Sequence, residues 1–157
     1  MYSLTILGLS LLTLIATSVI KKKLTLFENL YIVLVLEFLV TSYGSILYVN
    51  TKRWSVSQDV ESLLSFILFE TILIPFFLLW YFNFFFSVTT VLQRIGLSLI
   101  VVSTLYSIEY FLIYNEAITY EDWSFLYSLL SYTFILLLTL LITVPFIRLL
   151  QKEEINK

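Results

Sequence analysis

The chain has no cysteine and no histidine, and its one methionine is Met1. Without cysteine there is no disulfide framework, no thiolate nucleophile and no zinc-ribbon spacing. Without histidine, common haem and zinc sites lose their usual ligands, and a Ser-His hydrolase loses its base. The three glycines, Gly8, Gly44 and Gly96, are too far apart to build a phosphate-cradling loop. The only aspartates, Asp59 and Asp122, both sit in polar connections, so an intramembrane aspartyl protease lacks its paired acids. Charge is also scarce, at 13% of residues, against about 25% in a soluble domain. No basic run interleaved with aromatics offers a nucleic-acid surface. These absences predict no metal, no cofactor and no nucleic-acid partner, and they leave no enzyme class supported.

What the chain does have is apolar and aromatic. Of its 157 residues 60% are hydrophobic and 18% aromatic, and the mean hydropathy is +0.98. Too few charged residues remain to cover a water-facing surface, which makes the lipid bilayer the first expected partner. Five apolar runs, at about 2–20, 26–48, 62–84, 95–114 and 124–147, predict an all-α membrane bundle forming a single domain over 1–157. The first run spans roughly 28 Å at about 1.5 Å per residue, close to the hydrocarbon thickness. Its positive charges, Lys21, Lys22 and Lys23, follow the apolar stretch, whereas a signal peptide carries them in front. It therefore reads as a retained first helix. With the N-terminus outside, Lys21, Lys22, Lys23, Arg94, Arg148, Lys152 and Lys157 fall at cytoplasmic ends, and only Lys52 and Arg53 fall outside. That asymmetry predicts an N-out, C-in orientation. The aromatic end of the third run, around Trp80, Tyr81 and Phe84 to Phe86, suits the headgroup level.

Three glutamates fall inside these runs. Counted back from the external helix ends, Glu37, Glu70 and Glu109 lie about 18, 14 and 9 Å deep, so they can approach one another in the outer half. A membrane acid marks either a proton or cation path, or a neutral hydrogen bond that holds helices together. Glu37 has Thr41 one turn on, and Glu109 has Tyr106 three positions back, as same-face donors. Glu70 has only apolar neighbours at those spacings and requires a partner from another helix or from the backbone. Pro75 cannot donate to the Thr71 carbonyl, leaving a free acceptor beside Glu70, and is expected to kink the helix. Pro145 is expected to bend or end the fifth helix near the interface. Ser103 with Ser107, Ser124 with Ser128, and Thr139 with Thr143 are small pairs that let helices four and five approach.

The segments FETILIPFFLLWYF (69–82) and YSIEYFLIYNEAITYEDWSFLYSLLSY (106–132) resemble a family of small, functionally uncharacterised multi-pass membrane proteins of endospore-forming Gram-positive bacteria. The carrying features are the mid-helix acid followed by proline (Glu70, Pro75), the Ser-Ile-Glu helix, and the loop with Tyr120 and Trp123 leading to Tyr127-Ser128-Leu129. The resemblance implies a bacterial cytoplasmic membrane location, marks Glu70 and Glu109 as positions to test, and supplies no activity. Two functions remain open. One is a non-enzymatic structural or interaction component, as a homo-oligomer or with a larger membrane partner. The other is a proton- or cation-coupled carrier or channel component using Glu37, Glu70 and Glu109.

Overall fold

The computed structural model describes residues 2–19 and 23–155. Lys21, Lys22 and Lys157, counted in the charge asymmetry, lie outside the described residues, as does Ile20 at the end of the first predicted span. Five helices are long and apolar enough to cross a membrane: α1 (Tyr2–Val19), α2 (Leu26–Asn50), α3 (Val60–Ser87), α4 (Val91–Tyr114) and α5 (Phe125–Ile155, apolar to Leu150). Each follows from its apolar run, and its ends follow from polar caps. Thr25 and Glu28 form a reciprocal capping box at the start of α2, with Thr25 N donating to Glu28 Oε2 at 2.7 Å and Glu28 N to Thr25 Oγ1 at 3.3 Å. Asp59 caps α3, accepting from Ser62 N at 2.8 Å and Ser57 Oγ at 2.5 Å. The bonds from Ser57 and Ser62 hold its carboxyl down at about 2. Thr90 caps α4 by accepting from Gln93 N at 3.4 Å, so α4 starts ahead of the predicted 95 and Arg94 lies in its first turn rather than in a link.

Within the apolar helices, hydroxyls turn back onto their own backbone. Thr13, Thr41, Thr71, Thr139 and Thr143 each donate to the carbonyl four residues earlier, at 2.6–2.8 Å. No water is then needed to satisfy them.

Helix α3 is the centre of the bundle. Half of its most apolar window is buried inside the protein, against 17–28% for the other four. It packs on α1, α2 and α4, while α5 closes the bundle against α2 and α4. Helix α1 runs parallel to α3 and is pinned at both ends: Tyr2 Oη and Ser62 Oγ are 2.5 Å apart, and Trp80 Nε1 donates to Thr17 Oγ1 at 2.8 Å. Helix α2 runs the other way. Asn83 of α3 receives Lys23 N and Leu24 N on its Oδ1, at 3.1 and 3.2 Å, and donates to Asn29 Oδ1 at 2.7 Å. The end of α5 returns to the same level, where Phe146 stacks on Tyr31 with ring centroids 3.8 Å apart. Lys23, Arg94 and Arg148 therefore share one end of the bundle, and Lys52 and Arg53 sit at the other.

Several local expectations change. Tyr81, assigned to an interfacial belt, is a buried core residue, with its Oη 2.8 Å from Ser98 Oγ of α4, and the neighbouring Phe82 is buried as well. The helix does not end at Pro145 but continues to Ile155, taking in the start of the charged tail. Helix α3 also continues through Pro75, because the turn before it, Phe69–Leu73, opens to a π-helical turn in which Ile74 N donates to Phe69 O. Ser103 and Ser107 are exposed, and it is Val101, Val102, Leu105 and Leu112 that α4 buries. Both connections read as simple loops hold short strands: β1 (Trp54–Val56) pairs antiparallel with β2 (Ile118–Tyr120), in the register Trp54 with Tyr120 and Val56 with Ile118. The alternation of the pleat points Trp54, Val56 and Ile118 inward, all under 5% exposed, so the ribbon caps the bundle. Lys52 and Glu116, at φ 51° and 55°, make the left-handed turns that bring the strands together.

The Asn83 clamp is a buried polar link. Asn83→Ala strands the Leu24 N–H and the Asn29 amide, and is expected to lower the unfolding free energy in mixed micelles by about 2 kcal/mol. Asn115→Ala, which removes only one bond to the Phe111 carbonyl at the bundle surface, is expected to cost less than half as much.

Candidate functional site

Glu109 lies near the end of α4 and is wholly buried. The chain reverses after Tyr114 into β2, which carries Tyr120 back over the helix end. Tyr120 Oη donates to Glu109 Oε1, and Ser128 Oγ, from the first turns of α5, donates to the same oxygen at 2.8 Å. Each hydroxyl has one proton, and both protons are directed at Oε1. Ser128 Oγ in turn accepts from Trp123 Nε1 at 2.9 Å, and the Arg53 guanidinium lies 5.7 Å from the Trp123 ring centroid. Burial, together with the adjacent Glu109 carboxylate, pushes the Tyr120 phenol above its ordinary range, keeping it a neutral donor. The network thus ties β1, β2, α4 and α5 around one carboxyl group.

The other carboxyl oxygen is unmatched. Glu109 Oε2 has no close hydrogen-bond partner, and the hydroxyls of Tyr43 on α2 and Tyr132 on α5 make only looser contacts, Tyr132 toward Glu109 and Tyr43 toward Ser128 and Ser131. Trp54 Nε1 is another buried atom without a partner; its ring stands edge-on to Tyr43 at 5.6 Å and stacks on Tyr120 at 6.1 Å.

Glu70 sits in the π turn of α3, with its carboxyl against Gly44 of α2. A Cβ on Gly44 would lie 2.8 Å from the Glu70 carboxyl carbon, so only glycine leaves this space. Beside it is a cavity of about 10 Å³ lined by Tyr43, Trp54, Glu70 and Tyr132 among others. That is room for no more than one water. Glu37, two turns before Gly44 on α2, is half-exposed and within electrostatic range of Glu70. Neither Glu37 nor Glu70 has a side-chain hydrogen bond among the described residues.

The three glutamates therefore divide. Glu37 and Glu70 come together across the α2–α3 contact, while Glu109 lies in a separate network and meets the Glu70 cavity only through Tyr43 and Tyr132. No cluster of three acidic side chains suited to a metal ion occurs among the described residues. Two expected donors are replaced: Thr41 bonds the backbone carbonyl of Glu37 rather than its carboxyl, and Glu109 takes Tyr120 and Ser128 in place of Tyr106. Glu70 touches α2 at Gly44 but gains no polar partner there, and the Thr71 carbonyl receives no proton from it. Tyr43, Tyr132 and Trp54 were not singled out by sequence; aromatic residues with a polar tip inside apolar runs were the available signal. Comparison with protein-family models, curated proteins and solved structures finds no match.

Glu70 and Gly44 form a testable pair. Gly44→Ala is expected to displace the Glu70 carboxyl and destabilise the bundle by about 1–2 kcal/mol. In a Glu70→Ala background the added methyl has space, and most of that cost is expected to vanish in a double-mutant cycle of unfolding free energies.

Proposed function

We propose that this chain is a non-enzymatic, multi-pass membrane component that works by docking another membrane helix on the face carrying Glu37 and Glu70. The observation that supports this is the state of those two acids: adjacent, within the apolar spans, partly exposed, and without hydrogen bonds. An unpaired acid at the bilayer centre costs about 2–3 kcal/mol or more. A neighbouring helix presenting a hydroxyl, amide or basic group removes that cost and leaves the acids specific to their partner. The exposed side chains around Glu37, Leu34 and Phe38, supply the apolar surround. The partner is a second copy or a larger membrane protein. The setting is the bacterial cytoplasmic membrane with the N-terminus out, a reading supported by the charge split between the two ends of the bundle and by the family resemblance.

Proton movement is a second reading, favoured by one observation. The one-water cavity at Glu70 is lined by Tyr43 and Tyr132, and both tyrosines interact with Glu109. This gives a discontinuous series of exchangeable protons between Glu37 and Glu109. No cation site is part of it.

The absence of native cysteine makes the docking reading directly testable. A single cysteine at Phe38, oxidised in native membranes, is expected to cross-link to a second copy or to a partner helix. Glu37→Leu with Glu70→Leu is expected to reduce that product at least fivefold while leaving the folded monomer intact. Undiminished cross-linking in the double variant, or none in the parent, contradicts the reading. Proton flux into liposomes that is lost in Glu109→Gln favours the second reading instead.

A further inference from the structure

Two lipid-facing grooves of equal volume, 390 Å³, flank α5. One, against α2, is lined by no charged residue. The other, between α4 and α5, has Arg94 at its end. Its floor is buried Tyr81, Val102 and Leu136, and its rims, Leu99 and Leu137, are more than half exposed. From Arg94 to Val102 the groove follows α4 for about 12 Å.

Arg94 is held in place without being neutralised. Its Nε and Nη2 donate to the Val88 carbonyl at 3.1 and 3.0 Å, and the guanidinium lies 5.0 Å from the Phe85 ring centroid. Two of its five N–H groups are thereby used, and the remainder are free to meet an oxyanion. Among the described residues no carboxylate pairs with it. Lys23 and Arg148 share this end of the bundle, and their field favours anionic headgroups.

We propose that this groove binds an anionic phospholipid, with its phosphate on Arg94 and one acyl chain laid between α4 and α5. The cation fixed beside an apolar channel matches the two parts of such a molecule. A volume of about 390 Å³ along about 12 Å of α4 suits a single hydrocarbon chain. The α2–α5 groove has the same volume and no cation, so it serves as an internal control.

The test uses the intact protein in neutral detergent, titrated with phosphatidylglycerol or with phosphatidylcholine of identical chains and read by native mass spectrometry. One phosphatidylglycerol is expected to be retained, with phosphatidylcholine binding at least tenfold more weakly. Arg94→Gln, whose amide can still donate to Val88, is expected to abolish that preference, and Arg94→Lys to keep most of it. Leu137→Trp, on the exposed rim, is expected to weaken binding of both lipids, whereas Leu130→Trp on the uncharged groove leaves binding unchanged. The Lys and Trp variants keep the test decisive if Arg94→Gln does not fold. Equal affinity for the two lipids in the parent, or an intact preference in Arg94→Gln, overturns the proposal. So does displacement of the lipid by inorganic phosphate alone, which would make the ligand a free anion.

Discussion

The Glu109 side chain is wholly buried, and the fold at that end of the bundle supplies the donors that solvent would otherwise provide. Tyr120 and Ser128 bring donors from a strand and from the next helix, and Trp123 completes the set by donating to Ser128. Tyr120 reaches the carboxyl only because β2 is held by β1, and β1 is anchored by the Trp54 ring between Tyr43, Phe66 and Tyr120. A buried polar group stripped of partners costs about 1–3 kcal/mol, more when charged. Glu109 thus makes the ribbon, the α4–α5 turn and the start of α5 depend on one another.

The same constraint organises the opposite end in neutral form. Asn83 and Asn29 satisfy each other and the backbone that enters α2, fixing α2 against α3 where the chain turns. Between these two polar ends most contacts are apolar, and most helical Ser and Thr hydroxyls are silenced by carbonyls of their own helix. Glu37 and Glu70 stand apart from this scheme. They are placed together by the Gly44 gap and the π turn ahead of Pro75, yet the chain offers them no donor. An arrangement that supplies partners to Glu109 and the two asparagines, but withholds them from this partly exposed pair, supports reading the pair as available to a partner.

The five helices were legible in sequence because a bilayer-length apolar run leaves few other structures available. The burial of α3 was legible too, from an acid and a proline that demanded neighbours. Less visible was anything that depends on pairing between connections. Tyr120 and Glu109 meet only after two short segments, read as loops, pair as strands, and six strand residues with a modest apolar pattern give little signal. Asn83 was obscured by the phenylalanines around it, although a lone amide in such a run is itself a sign of a buried bond. Tyr81 was placed at the headgroups because aromatic rings serve both interfaces and cores; only the packing of α4 decides between them. Pro145 was expected to bend or stop a helix that continues past it into charged sequence.

Glu109 is consumed by the fold, whereas Glu37 and Glu70 are, in the function proposed above, left for a partner. Comparing the unfolding free energies of Glu109→Leu and Glu37→Leu in the same mixed micelles measures that division directly. Glu109→Leu removes the acceptor shared by the Tyr120 and Ser128 hydroxyls, leaving them only each other and Trp123, and is expected to cost about 2–4 kcal/mol, whereas Glu37→Leu removes an unpaired acid from an apolar surface and is expected to be neutral or stabilising. A large loss at Glu37, or none at Glu109, would contradict it.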